Sequence, residues 1–338
     1  MGKQFFSNER KKLAILLVAF FSFFVLSVVS VASVQNSSPK VPYAYITNDG
    51  SNNVSIIDTS TNTVIATVDV GSSPEGVMVT SDGKKVYVAN EGSNTVSVID
   101  TATKKVTETI NVGFCPAGIA VTPDGTKVYV TNSGDDNVSV INTAINKVIT
   151  TVNISGEPEG VAVDPMGKKA YVAIYDSNNV SIIDIATDKV TATVNVGLRP
   201  KGVAITPNGK KIYVTNQEGG SVSVIDAVTS KVIATVDVGN TPWEVAVNPN
   251  GTKVYVANEG SGTVSVINTS TDTVSTTISI GSNPVGVSIT PDGTKLYVTN
   301  PGENTAITID TATNMVTSKM NVGNMPFALG EFIGGHAV

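Results

Sequence analysis

Val128-Tyr129-Val130-Thr131-Asn132 is one copy of a five-residue phrase that the chain repeats. It returns as Ala44-Tyr45-Ile46-Thr47-Asn48 and as Val86-Tyr87-Val88-Ala89-Asn90, and its tyrosine returns at 171, 213, 255 and 297. Successive tyrosines are always 42 residues apart. A fixed period of about 40–45 residues marks a repeat architecture and accommodates the four strands of a propeller blade.

Working outward from Tyr129, the preceding strand is Gly118-Ile119-Ala120-Val121-Thr122, built of small residues and turned by Pro123-Asp124-Gly125. An Asp-Gly or Asn-Gly pair recurs at 82–83, 124–125, 208–209, 250–251 and 292–293, which is a tight-hairpin signal. After the loop Ser133-Gly134-Asp135-Asp136 comes a third strand, Asn137-Val138-Ser139-Val140-Ile141. Asp or Asn ends it in every repeat (58, 100, 142, 184, 226, 268 and 310), where the side chain can bond backbone two residues on and set the turn. A Thr-rich fourth strand covers 147–154.

The third strand is apolar or small on both faces, as a sheet covered on both sides requires. A linear solenoid needs polar caps on its end repeats, and neither end shows one. Instead the first repeat starts at its tyrosine strand, and Pro326-Phe327-Ala328-Leu329-Gly330-Glu331-Phe332-Ile333 reads as a spare copy of the missing small-residue strand. The expected fold is therefore all-β: a seven-bladed β-propeller over residues 43–334, closed by pairing its N- and C-terminal strands, with no open edge left. Residues 335–338 form a tail.

Composition agrees. Charged residues are 15% of the chain, against about 25% in ordinary domains, and Val, Thr, Ser and Asn are strand and turn formers. A net charge of −6 argues against nucleic acid as a partner. The single cysteine, Cys115, allows no internal disulfide or thiolate metal site. The single histidine, His336, lies past the last strand, so no Ser-His-Asp triad, histidine metal cluster or axial haem ligand is expected. Asp135, Asp136, Glu157 and Glu159 have spacings that suit calcium or acid–base work, but read more simply as solvated loop acids. The expectation is a non-enzyme without metal or cofactor.

The amino end is a different kind of sequence. Lys3, Arg10, Lys11 and Lys12 precede 22 uncharged residues, 13–34. A basic start before an apolar run is an export signal, and Ser30-Val31-Ala32 offers cleavage after Ala32. The run is also long enough to span a bilayer, so residues 1–34 read as a cleaved signal or a retained anchor. Either places the repeats outside the cytoplasm, with membrane contact only through 13–34 if uncleaved. Residues 35–42 form a polar linker. Seven Asn-x-Ser/Thr triplets (36, 53, 137, 153, 179, 250 and 268) fit export, but a chain so rich in these residues produces them by chance.

The Val-Tyr-Val-Thr-Asn period, with Pro-x-Gly-Val-Ala-Val-Thr-Pro-Asp-Gly and Val-Ser-Val-Ile-Asp, resembles the YVTN β-propeller repeat family. It is most similar to that family's archaeal surface-layer and surface-antigen members, over residues 43 to about 333. The resemblance implies an envelope location and a structural or recognition role. Similar folds include lactonases and streptogramin-lyase-like enzymes, which makes an envelope enzyme of lactonase or lyase type the alternative. One repeat departs from the pattern: Asn becomes Ile174, followed by Tyr175 and Asp176.

The repeats also disagree around a fixed proline, at 74, 116, 158, 200, 242, 284 and 326. The residue after it is Glu75, Ala117, Glu159, Lys201, Trp243, Val285 or Phe327; the residue before it is Ser73, Cys115, Glu157, Arg199, Thr241, Asn283 or Met325. These loops lead into the innermost strands, so they should ring one mouth of the central channel. The candidate partner site is an apolar arc of Trp243, Val285, Met325 and Phe327, beside a charged arc of Glu75, Glu157, Glu159, Arg199 and Lys201. Pairs across the charged arc are expected to be rim salt bridges worth at most about 1 kcal/mol each. The apolar arc is either an exposed hot spot for an envelope protein or polysaccharide, or a plug folded into the channel.

Overall fold

A computed structural model describes residues 42–334, which form seven four-stranded antiparallel sheets arranged as the blades of a propeller. Expectations for the export segment, the linker, Asn36, His336 and the tail fall outside these residues. In the blade around Tyr129 the strands run, from the channel outward, Pro116–Val121, Lys127–Asn132, Asn137–Asn142 and Lys147–Asn153. Blades are counted below in chain order, blade 1 starting at Tyr43, which makes this blade 3.

Each residue of the repeated phrase has a structural task. All seven tyrosines are buried to 1% exposure or less between neighbouring sheets. The Tyr129 hydroxyl donates to Asp188 Oδ1 at 2.6 Å and the Tyr213 hydroxyl to Asp272 Oδ1 at 2.8 Å, each in the outer hairpin of the following blade. Lys127 and Lys211 reach the same carboxylates at 2.7 Å. Tyr297 closes the circle by donating to Asn62 Oδ1 at 2.6 Å. Asp188, Asp272 and Asn62 all have left-handed backbone, φ +53°, +51° and +54°. The Thr131 hydroxyl accepts the Gly118 N–H at 2.7 Å and donates to the Glu159 carbonyl of the next blade at 2.6 Å. Asn132 donates to Ser139 Oγ at 2.9 Å and accepts the Gly113 N–H at 3.2 Å.

The glycine two residues after five of the seven prolines, at 76, 118, 160, 202 and 286, is required by close approach. A Cβ on Gly118 would stand 2.3 Å from the Glu159 carbonyl oxygen, and one on Gly160 would stand 2.2 Å from that of Lys201. Backbones of successive inner strands therefore touch around the channel. Blade 6 has Glu244 at this position, and the closing segment has Ala328. The inner strand of blade 7 starts only at Val287, spanning Val287–Ile289 where blades 2 to 6 have six residues.

Ile174 and Tyr171 stay buried like their counterparts. The following loop differs: five blades have a short 3-10 turn there, such as Ser133–Asp135, whereas blades 4 and 5 have plain turns.

The ring closes as expected, with one correction. Pro326 pairs with Asn48, and Ile333–Gly334 pairs with Ala44 and Tyr43, completing blade 1. Between them the segment is not a simple copy of an inner strand, because it carries two extra residues. These let Leu329 and Glu331 cross to blade 2, where they accept the N–H groups of Val77 and Val79 at 2.8 and 3.3 Å. Ala328 at φ +53° and Gly330 at φ +102° make the detour possible.

Candidate functional site

The seven loops that carry the fixed proline surround one mouth of the channel. The residue before each proline has left-handed backbone, from φ +49° at Ser73 to +56° at Asn283. In five of the seven loops its N–H is held by an Asn or Asp side chain, as Cys115 is by Asn94 Oδ1 at 3.0 Å and Glu157 by Asp136 Oδ1 at 2.8 Å. Such backbone is costly for residues with a Cβ and gathers at functional sites. Here all seven loops share it, so it belongs to the frame, which presents variable side chains in fixed directions.

The residues after the prolines turn inward and interlock. Lys201 Nζ pairs with Glu159 Oε1 at 2.8 Å, and the two side chains are only 14% and 8% exposed. The ammonium also lies 4.6 Å from the centre of the Trp243 ring and 5.4 Å from that of Tyr175, an attraction that strengthens with desolvation. Trp243 meets Phe327 edge to face at 6.1 Å. Val285 is 2% exposed. The result is a collar across the mouth.

Three expectations are thereby corrected. Glu159–Lys201 is a buried pair rather than a rim salt bridge, so losing one partner would strand a charge and cost about 3–5 kcal/mol. Glu157 is not paired with Arg199. Arg199 Nε instead meets Glu218 Oε1 at 3.0 Å, while its guanidinium donates to the Tyr175 hydroxyl at 3.0 Å and lies over that ring. Val285 is not on an exposed arc, because its side chain is packed beneath the collar's surface. Met325 is exposed at 46%.

Electrostatics follow from this closure. Burial pushes the Glu75 carboxyl up to about 8, with Lys201 pulling it back and Glu91 and Glu159 adding to the rise. Burial draws Lys201 toward neutrality, but Glu159 and Glu75 outweigh it and its pKa rises. Burial, then Glu91 and Glu75, raise the Cys115 thiol, so it stays protonated and a poor nucleophile. Burial also raises Glu244 to about 8 and raises Glu331, whose carboxyl opens to the channel between protein walls.

Below the collar lies a cavity of about 470 Å³, reaching from Glu159, Lys201 and Trp243 to the hairpin prolines of the opposite mouth. Among the described residues no group of three or more His, Cys, Asp or Glu side chains is placed to hold a metal ion. Tyr175 and Glu244 had not been singled out as site residues. Both are departures from the repeat, the same signal that marked the proline loops.

Two family models match parts of the chain: YNCE-like beta-propeller over residues 37–126, and Lactonase, 7-bladed beta-propeller, over residues 102–196. The chain is a β-propeller repeat protein. Among solved structures it resembles hydrazine synthase of Kuenenia stuttgartiensis at 23% identity and TM-score 0.71, covering 75% of this chain and 88% of that one. It also resembles a functionally unknown protein from Desulfotomaculum acetoxidans DSM 771 at 20% identity and TM-score 0.76, covering 88% and 99%. At these identities the likeness concerns the fold alone. No curated protein matches the chain.

Proposed function

We propose that this propeller is an exported scaffold of the cell envelope that binds an envelope protein or polysaccharide through its collared mouth, most like the surface-layer and surface-antigen members of the YVTN repeat family. The observation that carries the reading is where the repeats differ. Strands and hairpins repeat almost unchanged, while Tyr175, Arg199, Glu157 and Met325 stand around a closed collar on one face. Arginine and aromatic side chains held by their neighbours are the usual anchors of an interface. The export half rests on Lys3, Arg10, Lys11 and Lys12 before the uncharged run 13–34.

Co-sedimentation with isolated envelopes tests it. Arg199→Ala with Met325→Ala should reduce binding at least tenfold at an unchanged unfolding midpoint, whereas Met166→Ala on the opposite face should leave it intact. Binding that ignores the mouth variant would sink the proposal. The match of residues 102–196 to the lactonase model favours a second reading, an envelope enzyme of lactonase or lyase type. Turnover of a lactone panel by the purified chain with divalent metal added would support that reading instead.

A further inference from the structure

Beneath the collar, the channel wall is made of strand edges. In blade 5 the Thr206 N–H donates to the Lys211 carbonyl at 3.0 Å. In an antiparallel ladder hydrogen-bonded pairs alternate, so Ala204 and Tyr213 form the next bonded pair, and Val203 and Ile205 turn their N–H and C=O groups away from the blade. They face the channel. The same register aims Val161 and Val163 of blade 4 and Val245 and Val247 of blade 6 inward.

In blade 2 the equivalent groups are occupied by the chain's own C-terminal segment. Leu329 donates to the Glu75 carbonyl at 3.2 Å, and the Val77 and Val79 N–H groups donate to Leu329 and Glu331. The bridge between Gly76 and Leu329 is parallel. A short piece of polypeptide thus already lies in the channel on an inner strand edge. Among the described residues no strand pairs with the inner edges of blades 4, 5 and 6.

The cavity of about 470 Å³ lies against those open edges, within the usual range for a ligand pocket. Its walls there are small and apolar (Ala162, Ala204 and Ala246 among them), and Lys201 is the only Lys or Arg in its lining. Lys201 is already paired with Glu159. Glu244 and Glu331 also line the cavity, and among the described residues neither has a cationic partner within ion-pair distance. Glu244 stands at the collar end of the blade 5 edge, its Oε1 3.2 Å from where a Cβ on Gly202 would be.

We infer that the channel is a binding site for a short extended peptide with a free amine, which adds in parallel to the inner edge of blade 5 at Val203 and Ile205, its amine at Glu244. Main-chain hydrogen bonds supply the affinity, as in other cases of strand addition, and the narrow walls select small side chains. The site is separate from the mouth face and is entered from the hairpin side.

The test uses the full chain, labelled for amide NMR, and the probe Ala-Val-Thr-Val-amide. Three comparators accompany it: the N-acetylated peptide, a peptide methylated on its backbone nitrogens, and the Glu244→Gln protein. The probe should shift the Val203 and Ile205 amides. Backbone methylation should abolish binding, and acetylation or Glu244→Gln should each weaken it at least tenfold. Acetylation probes the amine without altering the protein, so a poorly folded variant would not block the answer. The inference is overturned if neither amide shifts at millimolar probe, if the methylated or acetylated peptide binds as well as the parent, or if both amides are already protected from exchange without peptide.

Discussion

Glu244 shows what one side chain does in a frame this tight. Five other blades place glycine there (76, 118, 160, 202 and 286) because a Cβ would meet the next backbone. The glutamate leaves a carboxyl in the channel wall. Burial raises it from its ordinary 4.5 to about 8, so between those values the folded chain holds more protons than the unfolded chain. Stability is then greatest below about pH 4.5 and falls as pH rises toward 8. Glu75, also raised to about 8, acts in the same direction. Each tenfold change in proton affinity corresponds to about 1.4 kcal/mol, and relaxation around the site takes up part of it. Urea unfolding should show Glu244→Gln gaining roughly 1–2 kcal/mol over the native chain at pH 8, with little gain at pH 5. An equal effect at both values would mean that the carboxyl is solvated. Residue-level reading of the sequence succeeded where a type recurs and failed here. A lone departure carries no period, and its effect arises from a neighbouring blade 42 residues away.

Among the elements, the tyrosine strand was the most legible, since its period locates it and its neighbours on both sides. What it grips was not legible. Tyr129 and Lys127 converge on Asp188, a turn residue of the next blade with φ +53°, and no local pattern links residues so far apart. Tyr129→Ala should cost about 3–5 kcal/mol in chemical denaturation, as large aromatic truncations in cores do. Tyr129→Phe keeps the ring and loses only the hydroxyl bond, so its cost should be about 1–2 kcal/mol. If the alanine variant unfolds at nearly the native midpoint, the ring is not the wedge between blades described above. The blade 4 loop was illegible for a different reason. Replacing Asn by Ile174 removes the polar anchor that Asn132 provides in blade 3, and sequence alone does not say which turn takes over.

At the scale of the whole molecule, the count of seven blades and the seam between the chain's two ends were both readable from the repeats. The detour at 328–331 was not, because the segment's apolar pattern does not say where two extra residues are accommodated. Removing residues 325–338 would take away the Phe332 carbonyl that accepts from Tyr45, the bonds from Phe327 and Ala328 to Thr47, and the buried Phe332 side chain. It would also bare the edge of blade 1, and such edges template association. The shortened chain should aggregate or melt far below the native one, as light scattering and calorimetry would show. A soluble monomer with native melting would refute closure at this seam.

The mouth was legible as a place and not as a shape. Seven variable positions after seven prolines located it, but whether their side chains spread outward or folded inward depended on packing that only the ring creates. The claim that they interlock into a collar is tested most directly by the fluorescence of Trp243, the chain's single tryptophan. Its indole lies between the Lys201 ammonium and the Phe327 ring, and its Nε1 is buried. The native protein should therefore emit at short wavelength and resist acrylamide, and Lys201→Met should change the emission. Emission like that of free tryptophan in water, quenched as readily, would contradict a closed collar.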